Sequence, residues 1–133
     1  MKKHFAFALL SALLLTLFSC SADPKTFVIE GAQRLSVMSG TTGERIELTS
    51  AEDIAYLTDN IGALSFSKGD KVNGDGWSYS LCWYDESGKE LETVTLLGDG
   101  VTIVFDGRYY QSMSIDEEID LAFLEGKFAE AAE

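Results

Sequence analysis

Cysteine and histidine, two side chains that often act in covalent or acid–base catalysis, are scarce in this sequence. There are two cysteines, Cys20 and Cys82, and a single histidine, His4. The 22 aspartates and glutamates far outnumber the 10 lysines and arginines. Because no imidazole follows His4, the rest of the chain cannot use Ser-His-Asp or Cys-His catalysis, and it cannot bind zinc through histidine. The candidates for chemistry that remain are the two thiols, the carboxylates and the hydroxyls.

Cys20 stands at the end of a short apolar leader. Lys2 and Lys3 precede a mainly apolar run over residues 5–18, and Ser19 then leads to Cys20. As a helix, this run would rise about 21 Å, less than the roughly 30 Å of the hydrocarbon core of a bilayer. The length fits a signal peptide better than a permanent membrane span. Two alternatives stay open, namely an N-terminal core helix with an incidental thiol and a secreted chain that is cleaved without lipidation.

The sequence Leu17-Phe18-Ser19-Cys20 resembles the lipobox of bacterial lipoproteins. This resemblance implies that a diacylglycerol alkylates the Cys20 thiol and that the leader is cleaved just before it. The expected organisation is a lipoprotein signal peptide at residues 1–19, a lipidated tether at 20–25 and a single domain at 26–133. Since two acyl chains are enough for stable anchoring, we expect an extracytoplasmic protein that is lipid-anchored to the bacterial cell membrane.

The charge of the chain limits its partners. The net charge of −12 becomes −14 when Lys2 and Lys3 leave with the leader, because no acidic residue precedes Cys20. Such an acidic domain is repelled by phosphate backbones, so nucleic acid is excluded as a partner. Anionic headgroups repel it as well, and the acyl chains rather than the protein surface would hold it to the membrane. The expected partners are the membrane, through Cys20, and an envelope protein or glycan.

Alternation of apolar and polar residues predicts six strands. Residues 34–38 and 44–48 alternate on either side of Gly40–Gly43 and are expected to form a hairpin. Four more alternating segments lie at about residues 77–85, 89–97, 101–105 and 108–113. Their connections are short and include Asp99-Gly100 and Asp106-Gly107, which are typical of tight turns between antiparallel neighbours. These four segments therefore predict a β-meander.

Two helices complete the predicted fold. Either Ser50 with Asp53 or Thr49 with Glu52 fits a capping box before an apolar stripe that comprises Ile54, Leu57 and Ile61. A second helix is expected from Ile115 onward, with Ser114 and Glu117 as its capping box. The order β-β-α-β-β-β-β-α predicts an α+β fold, in which an antiparallel β-meander sheet carries two helices packed on one face.

Aromatic residues are concentrated on two of the meander strands. Trp77, Tyr79 and Trp83 alternate with other residues and are expected on one face, while Tyr109 and Tyr110 lie in the last strand. Two interpretations stay open. The stripe forms the core face beneath the helices, or these aromatic residues form an exposed platform that binds a glycan or peptide.

Metal and cofactor sites are not expected. Residues 70–76 partly resemble a calcium-binding loop, but Lys71 and Cys82 fall where that motif needs acidic ligands. Cys82 is the only cysteine besides Cys20, so neither a disulfide framework nor a thiolate cluster can form in the domain. We interpret Cys82 as a small apolar residue that is buried or half-buried in a strand. The sequence thus predicts neither a metal nor a cofactor.

The region from Phe27 to Phe128 resembles small lipoprotein domains of unknown function that are common in Gram-positive bacteria. Besides the lipobox, the residues that carry this resemblance are Thr49–Ile54, Trp77–Leu81 and Asp106–Tyr110. The resemblance implies a fold and a location but no catalytic residues. We therefore expect a binding or regulatory module, not an enzyme, for an envelope protein or a cell-wall component. The alternative is a histidine-independent hydrolase or transferase, whose paired carboxylates would share a pocket that raises their pKa values.

Overall fold

The computed structural model describes residues 23–70, 76–114 and 116–133. The leader, Cys20 and most of the loop at 70–76 lie outside the described residues. Within them are seven strands and two helices. The strands are β1 Arg34–Ser39, β2 Arg45–Leu48, β3 Phe66–Lys68, β4 Tyr79–Tyr84, β5 Glu90–Leu96, β6 Thr102–Phe105 and β7 Arg108–Ser112, and the helices are α1 Ala51–Gly62 and α2 Leu121–Ala131.

All seven strands form one antiparallel sheet in the order β2-β1-β4-β5-β6-β7-β3. The predicted hairpin is β1–β2, and the predicted meander is β4–β5–β6–β7, so both are confirmed. The turn between β6 and β7 shows why an Asp-Gly pair predicts a tight turn so well. Asp106 has φ 50° and Gly107 has φ 71°, and positive φ at both central residues is what a type I′ turn requires.

The strand β3 was not predicted from the sequence. It has only three residues and lies at the far edge of the sheet, beside β7. Its other side is paired with the N-terminal segment, because Lys25 N donates to Phe66 O and Phe66 N donates to Lys25 O, both at 2.8 Å. The last residue of the predicted tether is therefore already hydrogen-bonded to the sheet.

The hydrophobic core lies between one face of the sheet and both helices, which confirms the predicted layer arrangement. From α1 the core receives Ile54, Leu57 and Ile61, and from α2 it receives Leu124. The sheet contributes the alternate residues of its central strands, which include Leu35, Val37, Leu81, Trp83, Val94, Leu96 and Ile103. Of the helices in the described ranges, neither is long and apolar enough to cross a membrane.

The start of the first helix was predicted correctly, but that of the second was not. Ser50 caps α1 through a hydrogen bond that its hydroxyl accepts from the backbone N–H of Asp53, at 3.5 Å. The second helix begins at Leu121, so the predicted start at Ile115 and the capping box at Ser114 are wrong. The actual N-cap is Asp120, whose carboxylate accepts from Phe123 N at 3.0 Å.

Ile119 explains why α2 starts late. Its side chain is buried in the core, and its backbone N–H donates to Gly100 O at 2.9 Å. Asn60 of α1 fixes the same stretch, because its side-chain amide donates to Glu118 O and accepts from Asp120 N. These tertiary hydrogen bonds hold residues 118–120 outside the helix, so the local capping signal at Ser114 is overridden.

Candidate functional site

The five aromatic residues singled out in the sequence divide between the two faces of the sheet. Trp83 is fully buried, and Tyr79 and Tyr110 are half-buried against the core beneath the helices. Trp77 and Tyr109 instead line a groove at the face that the two helices leave uncovered. Trp77 does not share a face with Tyr79 as predicted, because β4 begins only at Tyr79 and the alternation does not extend back to Trp77.

We call this feature the aromatic groove. It has a volume of about 640 Å³ and runs across the ends of β4 to β7. The strand register builds its floor, because Thr95 of β5 pairs with Val104 of β6, and Val104 pairs with Tyr109 of β7. Directly paired residues in neighbouring strands point to the same face of a sheet, so these three side chains lie in one row. Trp77, which is 37% exposed, forms one wall.

The position of Trp77 depends on Gly40 in the turn between β1 and β2. A Cβ atom at Gly40 would overlap the Trp77 carbonyl and lie 2.8 Å from Cε3 of its ring. Gly40 N also donates to Ser78 O at 2.8 Å, and Ser78 N donates to Leu96 O at 2.8 Å. The indole is thus held by close packing on backbone and by hydrogen bonds on the residue that follows it.

Hydroxyl groups make up much of the remaining lining. Thr41, Ser78 and Thr95 all reach the groove, and each is exposed or half-exposed to solvent. Sequence reasoning identified Trp77 and Tyr109 but missed these hydroxyls and Gly40. The alternation in β5 could have located Thr95, because Thr95 must face away from the buried neighbours Val94 and Leu96.

Among the described residues that line the aromatic groove, Asp99 is the acidic one. Its Oδ1 accepts hydrogen bonds from Val101 N at 3.0 Å and Thr102 N at 2.7 Å, and its Oδ2 accepts from the Thr102 hydroxyl at 2.5 Å. Burial raises the pKa of Asp99, but these hydrogen bonds outweigh it and leave the pKa below its ordinary value. The carboxylate is ionised at neutral pH, and it already accepts three hydrogen bonds within the loop.

A second groove lies between α1 and the segment that precedes α2, and we call it the acidic groove. It measures about 670 Å³ and is lined by five carboxylates, those of Asp99, Asp116, Glu117, Glu118 and Asp120. The Tyr56 hydroxyl donates to Asp120 Oδ2 at 2.5 Å. This bond, together with the one from Phe123 N, lowers the pKa of Asp120.

The directions of these pKa shifts bear on carboxylate chemistry. A general acid of a hydrolase needs a carboxyl group whose pKa is raised toward neutrality. In Asp99 and Asp120 the pKa is lowered instead, and each carboxylate serves as an acceptor that fixes a turn or a helix start. Neither residue is suited to act as the proton donor of the paired-carboxylate alternative.

The described residues contain one thiol, that of Cys82, and no cluster of metal ligands. Among the residues that the structure describes, no three His, Cys, Asp or Glu side chains are grouped so that they could hold a metal ion. The partly calcium-like loop lies outside the described residues over 71–75. Cys82 is half-buried on the uncovered face of the sheet, where its sulfur accepts a hydrogen bond from the Thr93 hydroxyl at 3.0 Å.

The chain matches no protein-family model, no curated protein and no solved structure. The lipobox-like segment and the geometry of the aromatic groove are the features that bear on its function.

Proposed function

We propose that this protein is a bacterial lipoprotein, anchored outside the cytoplasm through acyl chains on Cys20, whose domain is a non-catalytic binding module for an envelope protein or cell-wall component. The observation that carries the binding function is the aromatic groove. It combines two aromatic side chains, Trp77 in a wall and Tyr109 in the floor, with three solvent-accessible hydroxyl side chains on a face that neither helix covers.

The exposure of Trp77 supports a binding role. Tryptophan contributes more binding energy per residue than most side chains, and it is enriched where ligands and partners are bound. Here the indole is 37% exposed although Trp83, six residues away, is fully buried in the core. Because Gly40 and Ser78 hold Trp77 in place, little conformational entropy would be lost when a ligand packs on its ring.

The N-terminal segment supports a short tether. Lys25 is paired with Phe66 of β3, so only residues 20–24 would link a lipidated Cys20 to the sheet. Five extended residues span at most about 17 Å. The domain would therefore stay close to the membrane surface, where it could contact neighbouring envelope proteins and the inner layers of the wall.

Anchoring is tested by mass spectrometry of the protein purified from its producing cell. We expect residues 1–19 to be absent and the mass of a diacylglycerol to be added at Cys20. The variant Cys20→Ala should remain unmodified and should leave the membrane fraction or retain its leader. An intact Met1, or an unmodified Cys20 in the native protein, would contradict the anchoring proposal.

The binding function is tested with the same native protein and a matched pair of variants. Trp77→Ala should reduce retention on purified cell-wall material or on a partner that is cross-linked in the intact envelope. Met113→Ala is the control, because Met113 is an exposed apolar residue, 57% accessible, that does not line the groove. Equal retention of both variants, or turnover of a cell-wall substrate by the wild-type protein, would overturn the non-catalytic binding function.

A further inference from the structure

We infer that the ligand of the aromatic groove is an uncharged oligosaccharide, which stacks on Trp77 and Tyr109 and exchanges hydrogen bonds with the surrounding hydroxyls. This inference rests on the proposed binding function and names the ligand class for it. Sugar rings expose C–H groups on one face and hydroxyls at the rim. A groove that combines aromatic rings with hydroxyl side chains offers complementary contacts to both.

The positions of the aromatic and hydroxyl side chains in the groove fit an oligosaccharide. Tyr109 lies at the end of the row that Thr95 and Val104 form, and Trp77 stands at the opposite wall. A flat ring can thus lie against an aromatic face while its rim reaches Thr95 or Ser78. The volume of about 640 Å³ is within the roughly 300–1,000 Å³ that is usual for small-ligand sites.

The backbone of the groove argues against an extended peptide as the ligand. Peptides that add to a sheet need unpaired N–H and C=O groups along an edge strand. The groove is built on β4 to β7, which are interior strands paired on both sides. Even before β4 the backbone is used, because Ser78 N donates to Leu96 O and Ser78 O accepts from Gly40 N. Binding in this groove therefore depends on side chains.

The charges around the groove favour a ligand without net charge. Lysine and arginine are absent from its described lining, and the whole chain carries a net charge of −12. An anionic glycan or phosphate polymer would be repelled by the acidic chain and would find no cation to pair with among the described lining residues. Among the described lining residues a cationic ligand would meet one carboxylate, that of Asp99, which already accepts three hydrogen bonds from Val101 and Thr102. An uncharged ligand is not repelled by the acidic chain, and it needs no charged partner in the groove.

The test uses isothermal titration calorimetry with full-length protein from the producing cell, solubilised in a zwitterionic detergent that has no sugar headgroup. The probe is the tetramer of β-1,4-linked N-acetylglucosamine, and an oligogalacturonate tetramer is its anionic counterpart. We expect the neutral tetramer to bind and the anionic one to bind at least about tenfold more weakly. Trp77→Ala should weaken binding of the neutral tetramer about tenfold or more, as loss of a central aromatic contact does.

Two further variants secure the interpretation. Thr95→Arg places a long side chain on the groove floor without touching the core, so it should abolish binding even if Trp77→Ala folds poorly. Met113→Ala should bind like the wild type. Because Trp83 is buried and Trp77 is exposed, a change in tryptophan emission on titration that is absent in Trp77→Ala reports contact at the groove itself.

The outcomes separate this inference from the function on which it rests. Binding of an uncharged octapeptide but not of the tetramer would overturn the oligosaccharide assignment and leave the binding function standing. Equal binding of neutral and anionic tetramers, or binding that Thr95→Arg leaves unchanged, would also overturn the assignment. Cleavage of the tetramer by the wild-type protein would refute the non-catalytic function as well.

Discussion

Trp83 and Thr58 are joined by a hydrogen bond of 3.0 Å, in which the indole N–H of β4 donates to the hydroxyl of α1. The Thr58 hydroxyl in turn donates to Ile54 O, one turn earlier in the helix, at 2.6 Å. Trp83 is fully buried, so no water can replace this partner. The pair satisfies the indole N–H of Trp83, the largest fully buried side chain among the described residues, and links α1 to the sheet.

Removal of the Thr58 hydroxyl should therefore destabilise the fold. Thr58→Val keeps the shape of the side chain but leaves the Trp83 N–H buried without an acceptor. We expect the free energy of unfolding in urea to fall by about 1–3 kcal/mol. Thr58→Ser keeps the hydroxyl and is the matched control. If the valine variant is as stable as the serine variant, the hydrogen bond does not contribute as described.

Gly40→Ala should disturb the aromatic groove by displacing Trp77. The added methyl would overlap Trp77, whose backbone and ring both lie against Gly40, and overpacking of this kind typically costs about 1–3 kcal/mol. We expect lower stability in urea and a shift in the emission of Trp77 as the indole moves.

Gly126→Ala is the control for that variant. Gly126 lies within α2 and has open space around its Cβ position, without a positive φ. Alanine there should stabilise the protein by about 0.5–1 kcal/mol, because alanine has the higher helix propensity. Equal effects of the two substitutions would mean that the close approach of Gly40 to Trp77 is not maintained in solution.

Asp99 should contribute a defined part of the acid sensitivity of the protein. Its pKa in the folded state lies below the ordinary value of 3.8. A lowered folded-state pKa stabilises the fold above the unfolded value, and this stabilisation is lost as the pH falls from about 3.8 through the folded pKa. Asp99→Asn should therefore be less stable than the wild type at pH 7, and the difference should shrink below about pH 4.

Urea titrations at pH 7, 5 and 3 measure this effect. Glu117→Gln removes an exposed carboxylate of the acidic groove and is the control for charge alone. A difference between Asp99→Asn and the wild type that is constant with pH would rule out the ionised Asp99 as its source.

Asp120 should control the start of α2. Its carboxylate caps Phe123 N and accepts from the Tyr56 hydroxyl, so alanine removes both acceptors. Asp120→Ala should cost about 1 kcal/mol and should speed amide exchange in the first turn of α2. Asp120→Asn keeps a side-chain oxygen at the cap and should retain most of the stability. An equal loss of stability in both variants would mean that the negative charge of Asp120, not its capping hydrogen bond, stabilises the fold.

The sequence alone predicted those elements whose signals are local. Alternation and Asp-Gly turns predicted the meander, because consecutive strands with short connections are antiparallel neighbours. Ser50 and the stripe at Ile54, Leu57 and Ile61 predicted α1. The absence of histidine after His4 excluded whole classes of catalysis, since composition does not depend on folding.

Only the tertiary structure decided how distant segments meet. That β1 lies beside β4 and β3 beside β7 could not be predicted, because pairings between strands far apart in the chain leave no short-range pattern. The late start of α2 follows from the bond between Ile119 and Gly100. Trp77 was visible as an aromatic residue, but its face was decided by packing on Gly40, a contact across about 37 residues that periodicity within one strand cannot report.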